Sequence, residues 1–141
     1  MFGKHILLKK TSVRQFTPMT ANDNVPARKT ELLEKLKKEI PDLKKVQEKC
    51  KGAQFFSVDI CFYLNKSPQA SGESEKDLDN MLKPLLDVLA EKFTNSDNKP
   101  VDGLGLIGND KLIHEIHCVK KHVDKENTGF DIEISKWQDE K

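Results

Sequence analysis

Two aspartates two residues apart, Asp77 and Asp79, stand ahead of an apolar run that also carries Asn80, Lys83 and Asp87. Carboxylates this close repel each other unless a cation lies between them. In extended backbone, residues i and i+2 point the same way, so both could face one ion. Mg²⁺ is a hard ion bound by carboxylates and water, which suits such a pair, and Mn²⁺ is a natural substitute. The plainer use of either acid is to cap the helix that follows, which needs only one of them. Asn80, Lys83 and Asp87 fall on the face opposite the leucines. There Lys83 and Asp87 are an ordinary i,i+4 pair, or else a lysine held beside a metal site and available to a phosphate. A third acid, Asp110, occurs in Gly108-Asn109-Asp110-Lys111 between two predicted strands, although Gly-Asn-Asp is also common turn chemistry. Together Asp77, Asp79 and Asp110 would form a water-open Mg²⁺ site able to polarise a phosphodiester and activate a bound water.

The elements that must position these residues follow from periodicity. Leu32, Leu33, Leu36 and Ile40 recur at helical spacing, and Pro41 separates them from a second helix through Leu43, Val46 and Cys50 that stops at Gly52. Val58, Ile60, Phe62 and Leu64 alternate with Asp59, Cys61 and Tyr63, as in a half-buried strand. Leu78, Met81, Leu82, Leu85, Leu86, Leu89 and Phe93 share one helical face, with Pro84 expected in the first turn or at a kink. Residues 5–9, 104–107 and 111–121 read as strands, and Phe130, Ile132 and Ile134 mark a last one. Residues 11–27, 65–76 and 94–103 read as loops, the first as part of a mobile N-terminal segment over 1–27. The sum is one α+β domain over 1–141, with a mixed or antiparallel sheet packed by helices.

The chain has 141 residues, ample for one core, and a formal net charge of +1. That balance hides an asymmetry: residues 1–52 hold 13 Lys/Arg and 6 Asp/Glu, against 11 and 17 in residues 53–141. The basic half is where phosphate contacts are expected, from Lys9, Lys10, Arg14, Arg28 and Lys29. The near-neutral total excludes a strongly basic, non-specific DNA coat. No apolar run approaches a membrane span, and residues 1–10 are too short and charged to be a signal peptide. Three cysteines without metal-type spacing point to reducing cytoplasm.

The run Asp77-x-Asp79-Asn80-x-x-Lys83-x-x-x-Asp87-x-Leu89, with Asp110 entering a later strand, resembles the RusA-type Holliday junction resolvases over roughly residues 55–135. These are small Mg²⁺-dependent endonucleases, often carried by prophages. The resemblance implies an RusA-like fold and a homodimer whose paired sites nick a four-way DNA junction symmetrically. By position, Asp77, Asp79 and Asp110 match the metal-site acids, Lys83 the essential lysine, and Asn80 and Asp87 supporting positions. One departure stands out. Where the family has two adjacent acids, this chain has Asn109-Asp110, and a longer stretch separates the helix from them.

Two other motifs carry less. Gly103-Leu104-Gly105-Leu106-Ile107-Gly108 fits a dinucleotide pattern, but it follows a polar loop and precedes strand-like alternation, so hairpin glycines are the expectation and no nucleotide cofactor is. His114, His117, Cys118 and His122 would gather a metal only on a helix; on a strand His114 and His117 face opposite ways. Three functions therefore stand: a Mg²⁺-dependent junction endonuclease, with a flap or fork nuclease as its variant; a junction-binding protein that has lost activity, for which Asn109 is the motive; and a domain whose acids only cap and pair.

Overall fold

Alternating apolar residues in two strands set the centre of the molecule. The computed structural model describes residues 5–18, 26–66, 78–94 and 100–137. Strand β2 (Phe56–Asn65) buries Val58, Ile60, Phe62 and Leu64, and β6 (Gly129–Lys136) buries Phe130, Ile132 and Ile134 beside them. They pair antiparallel, with Ile60 opposite Ile132. On the outer side of β6 runs β1 (His5–Arg14), also antiparallel. On the outer side of β2 runs β5 (Ile113–Val123), parallel to it. The sheet order is therefore β1-β6-β2-β5. A parallel neighbour requires a crossover, and the chain between β2 and β5 supplies one in helix α3 (Leu78–Leu89).

Helices cover one face of this sheet. Leu32, Leu33 and Leu36 of α1 (Pro26–Lys38), Cys50 of α2 (Leu43–Lys51), and Met81, Leu85, Val88 and Leu89 of α3 join the apolar residues of β2 and β6 in one core. Asp42 caps α2, its carboxylate accepting from the Lys45 amide at 3.1 Å. This is the α+β architecture with a mixed sheet that the periodicity implied. Burial pushes the Cys50 thiol up to about 11, so this buried thiol packs rather than reacts, and none of the three cysteines is in a disulfide. No helix among the described residues is long and apolar enough to cross a membrane.

Several boundaries differ from the sequence reading. The first strand continues to Arg14, beyond the expected loop from residue 11, because Thr11 and Val13 find partners in Ile132 and Phe130 across the sheet. Phe93 does not end α3. It lies in β3 (Lys92–Thr94), which pairs with β4 (Pro100–Asp102) in a separate ribbon, and it reaches the core from there. Residues 104–107 form no strand. Pro84 sits well inside α3, buried, rather than in its first described turn. Its missing N–H leaves the Asn80 carbonyl without the usual helical donor. Gly52 ends α2 with φ −80°, so no left-handed conformation is involved there.

The uncovered face of the sheet is polar but well ordered. Asp131 is 5% exposed at its centre, where Ser12 Oγ and Tyr63 Oη each donate to its carboxylate at 2.7 Å. Arg14 Nη2 lies 2.9 Å from the same carboxylate, and its guanidinium stacks 4.4 Å from the Tyr63 ring centroid. Three strands are thereby tied through one buried acid.

Candidate active site

Helix α3 presents its polar residues at four-residue intervals. Asp79, Lys83 and Asp87 are all exposed, while Met81, Pro84, Leu85, Val88 and Leu89 are buried behind them. Spacing of i, i+4 and i+8 keeps the three on one stripe, with half-buried Asn80 beside it. Asp79 lies in the first turn, where the helix dipole favours a negative charge, and that placement is compatible with a metal role. Asp77, its expected partner in cation binding, lies outside the described residues.

At the other end of α3, Asp87 does not pair with Lys83. Lys29 of α1 reaches it instead, Nζ to Oδ2 at 2.8 Å, and so ties α1 to α3. Both side chains are partly exposed, so the pair contributes at most about 1 kcal/mol. Lys83 is left exposed on the open stripe, the arrangement a phosphate contact needs.

Asp87 also borders a cleft of about 220 Å³ whose other walls include Ala90, Ile107, Gly108, Asn109 and Asp110. Asp110 opens a short 3-10 turn, Asp110–Leu112, and is exposed. Asn109 caps that turn, its Oδ1 accepting from the Lys111 amide at 2.9 Å. The acid that shares a cleft with Asp110 is therefore Asp87, not Asp79. Eight residues of helix separate those two, about 12 Å along the axis. Among the described residues no group of three or more His, Cys, Asp or Glu is arranged to hold a metal ion.

The cleft owes its shape to the glycine-rich segment. The amides of Leu104, Gly105, Leu106 and Ile107 donate to the carbonyls of Val88, Ala90, Leu89 and Leu89 at 2.8–3.1 Å. A helix leaves its last carbonyls without partners, and this segment supplies them. The glycines thus cap α3 rather than turn a hairpin, and the amides a pyrophosphate would need are already bonded. Gly105 has φ +65°, and a Cβ on Gly103 would lie 2.1 Å from the Ala90 carbonyl oxygen. Since that neighbour is backbone, Gly103→Ala is expected to destabilise the fold by about 2–4 kcal/mol, read as a lower urea midpoint at unchanged slope.

The basic residues divide by their partners. Arg14 serves Asp131, Lys29 serves Asp87, and Arg28 donates to the Thr17 carbonyl while lying over the Phe16 ring at 5.0 Å. Lys9 and Lys10 are exposed on β1, with Lys10 Nζ 3.6 Å from Asp131. Hence Arg14, Arg28 and Lys29 hold the fold together, and the solvated positive charge lies on Lys9, Lys10 and the helix lysines. His117 faces Asp59 across the strand pair, on the sheet's open face. His114 stacks instead on Phe55.

Among curated proteins the chain is similar to the crossover junction endodeoxyribonuclease RusA of Aquifex aeolicus (strain VF5), 37% identical over 82 residues. The similarity bears out the RusA-type resemblance. It covers 58% of this chain, and the chain spans about half the length of the curated relative it matches. No protein-family profile and no solved structure matches. Against the RusA-type pattern, Asn109 has a local task that an amide can perform, capping the turn that carries Asp110. Three features were hidden from sequence reasoning, namely the Lys29–Asp87 tie, the capping by residues 103–107 and the Asp131 network. Each joins residues far apart in the chain, and only the glycines left a local trace.

Proposed function

We propose that this chain is a divalent-metal-dependent endonuclease acting on branched DNA, resolving four-way junctions by paired nicks as a homodimer. The observation that carries this reading is the exposed Asp79–Lys83 stripe on α3, with Asp110 exposed on the turn entering β5. Similarity to a protein named as a crossover junction endodeoxyribonuclease supports it. The donors available are oxygens, which fit Mg²⁺ or Mn²⁺ rather than a thiolate-preferring ion. By the RusA-type pattern Asp77 and Asp79 would hold the ion, joined by Asp110, which shares a cleft with Asp87, and with Asn80, Asp87 and Asn109 as supporting residues. When bound, the ion would supply a water of lowered pKa and a positive charge at the phosphate.

The chain's own contribution is positioning and charge. Lys83 would stabilise the extra negative charge that a phosphodiester gains in the transition state. The exposed lysines of residues 1–52 would contact the backbone, giving strongly salt-dependent and shape-directed binding. A homodimer suits a two-fold substrate that must be cut twice.

The test is incubation of the purified chain with four-way, flap and linear DNA, with and without Mg²⁺. Symmetric nicking of the junction, dependent on metal and absent on linear duplex, is the expected result. Tight junction binding without nicking in Mg²⁺ or Mn²⁺ would favour the inactive binder instead. Loss of all DNA binding at low salt would remove both.

A further inference from the structure

Phe55, His114 and Trp137 come from three separate segments and meet at one end of the sheet. Phe55 precedes β2, His114 lies at the start of β5, and Trp137 follows β6. The Phe55 and His114 rings stack at 3.9 Å with 23° between their planes, and Trp137 meets His114 edge-on at 4.7 Å. The Trp137 amide donates to the Phe55 carbonyl at 3.0 Å, which fixes the two chain segments. None of the three belongs to the core; His114 is exposed and the other two are half-buried.

We propose that this trio is a stacking platform for an unpaired nucleobase of a DNA strand passing the candidate active site. The inference rests on the DNA reading given above and extends it to a specific base contact. Position supports it: Asp110 lies four residues before His114, and Ile113 between them lines the cleft that holds Asp110. The trio therefore begins one residue beyond the cleft along β5. Charge supports it as well. Exposed Lys111 stands between Asp110 and His114, and Lys136 immediately precedes Trp137. Aromatic faces beside lysines are the usual means of holding single-stranded nucleic acid, since every base has a π-face and every link a phosphate. Three rings offer far too little area for a stable contact between two copies, and lysine is depleted at such interfaces.

Trp137 is the only tryptophan, so it reports directly on its own site. The metal-free 141-residue chain is titrated with an oligothymidylate strand, a fully paired duplex and a four-way junction while Trp137 emission is followed. Quenching by the single strand, with little change on the duplex, is the expected result. His114→Ala should weaken single-strand binding about 5-fold or more, and His114→Phe should restore it. Because His114 is exposed on an edge strand, both variants are expected to keep the wild-type unfolding midpoint. Unaltered emission with the single strand, or equal affinity in His114→Ala, overturns the platform. If the wild type nicks junctions without any Trp137 response, the platform fails and the endonuclease reading stands. If Trp137 is quenched but no DNA is cut with any metal, the platform stands and the endonuclease reading fails.

Discussion

Asp79→Asn is expected to lower the proposed junction nicking by about 100-fold or more while leaving junction affinity in the absence of metal within a few-fold of wild type. The substitution keeps size and hydrogen-bonding capacity but removes one negative charge from the start of α3, where Asp79 is exposed. Removing a single group that stabilises the developing charge typically costs two to three orders of magnitude in rate, roughly 100- to 1,000-fold. Because an asparagine caps a helix as well as an aspartate does, a role confined to capping would leave nicking nearly unchanged. The same substitution at Asp110 separates two arrangements of the acids. If Asp110 serves the ion, Asp110→Asn matches Asp79→Asn in nicking and in weakened Mn²⁺ binding, measured by electron paramagnetic resonance. Asp87→Asn should do neither, since its carboxylate is engaged by Lys29. A full-activity Asp79→Asn protein would sink the proposed chemistry whatever the junction affinity.

What the sequence made legible was whatever repeats at short range. Alternation in Val58–Ile60–Phe62–Leu64 and in Phe130–Ile132–Ile134 predicted the two central strands, and the leucine spacing of α3 predicted the helix that bears Asp79 and Lys83. Long-range pairing was the hidden part. Thr11 and Val13 look like loop residues until β6 is placed beside them, and Phe93 fits the helical face of α3 although the chain has already turned into β3. The glycine motif misled for a physical reason. Gly103 satisfies the same need for close backbone approach that a phosphate loop has, but the groups it approaches are the Val88 and Ala90 carbonyls at the end of α3, while Gly105 supplies a positive φ. Likewise, a lysine four residues from Asp87 was an adequate partner by spacing. A lysine 58 residues away took the position because α1 packs across α3. Residue types thus announced the chemistry available, while the neighbours that decide its use came from the fold.

Asp131→Ala should cost about 3 kcal/mol, roughly 6–12 °C in Tm for a chain of this size. The carboxylate side chain is 6% exposed, whereas Arg14 is 39% exposed, so part of the arginine's loss is made good by water. Exposed Ser12 can likewise turn to water, so most of the effect falls on half-buried Tyr63 Oη, which loses its acceptor. Ser12→Ala, which removes one donor and leaves the charge paired, should cost only about 1 kcal/mol. The pH dependence follows from the same contacts. Burial alone would raise the Asp131 pKa, but hydrogen bonds from Ser12, Tyr63 and Arg14 outweigh it and hold the carboxyl below the usual aspartate range. A depressed carboxylate contributes stability above its unfolded value and loses it as pH falls through the folded one. The gap between wild type and Asp131→Ala should therefore be constant near neutrality and close below about pH 4. At the alkaline end Tyr63 acts with the opposite sign. Its hydrogen bond to Asp131, then its burial, raise the phenol above its ordinary value of 10.0, so its contribution is whole below that pH and is lost as pH rises through the folded value. Urea unfolding of both proteins across pH 2.5 to 11 measures both limbs, and a variant within about 0.5 kcal/mol of wild type near neutrality would show that the network contributes nothing net.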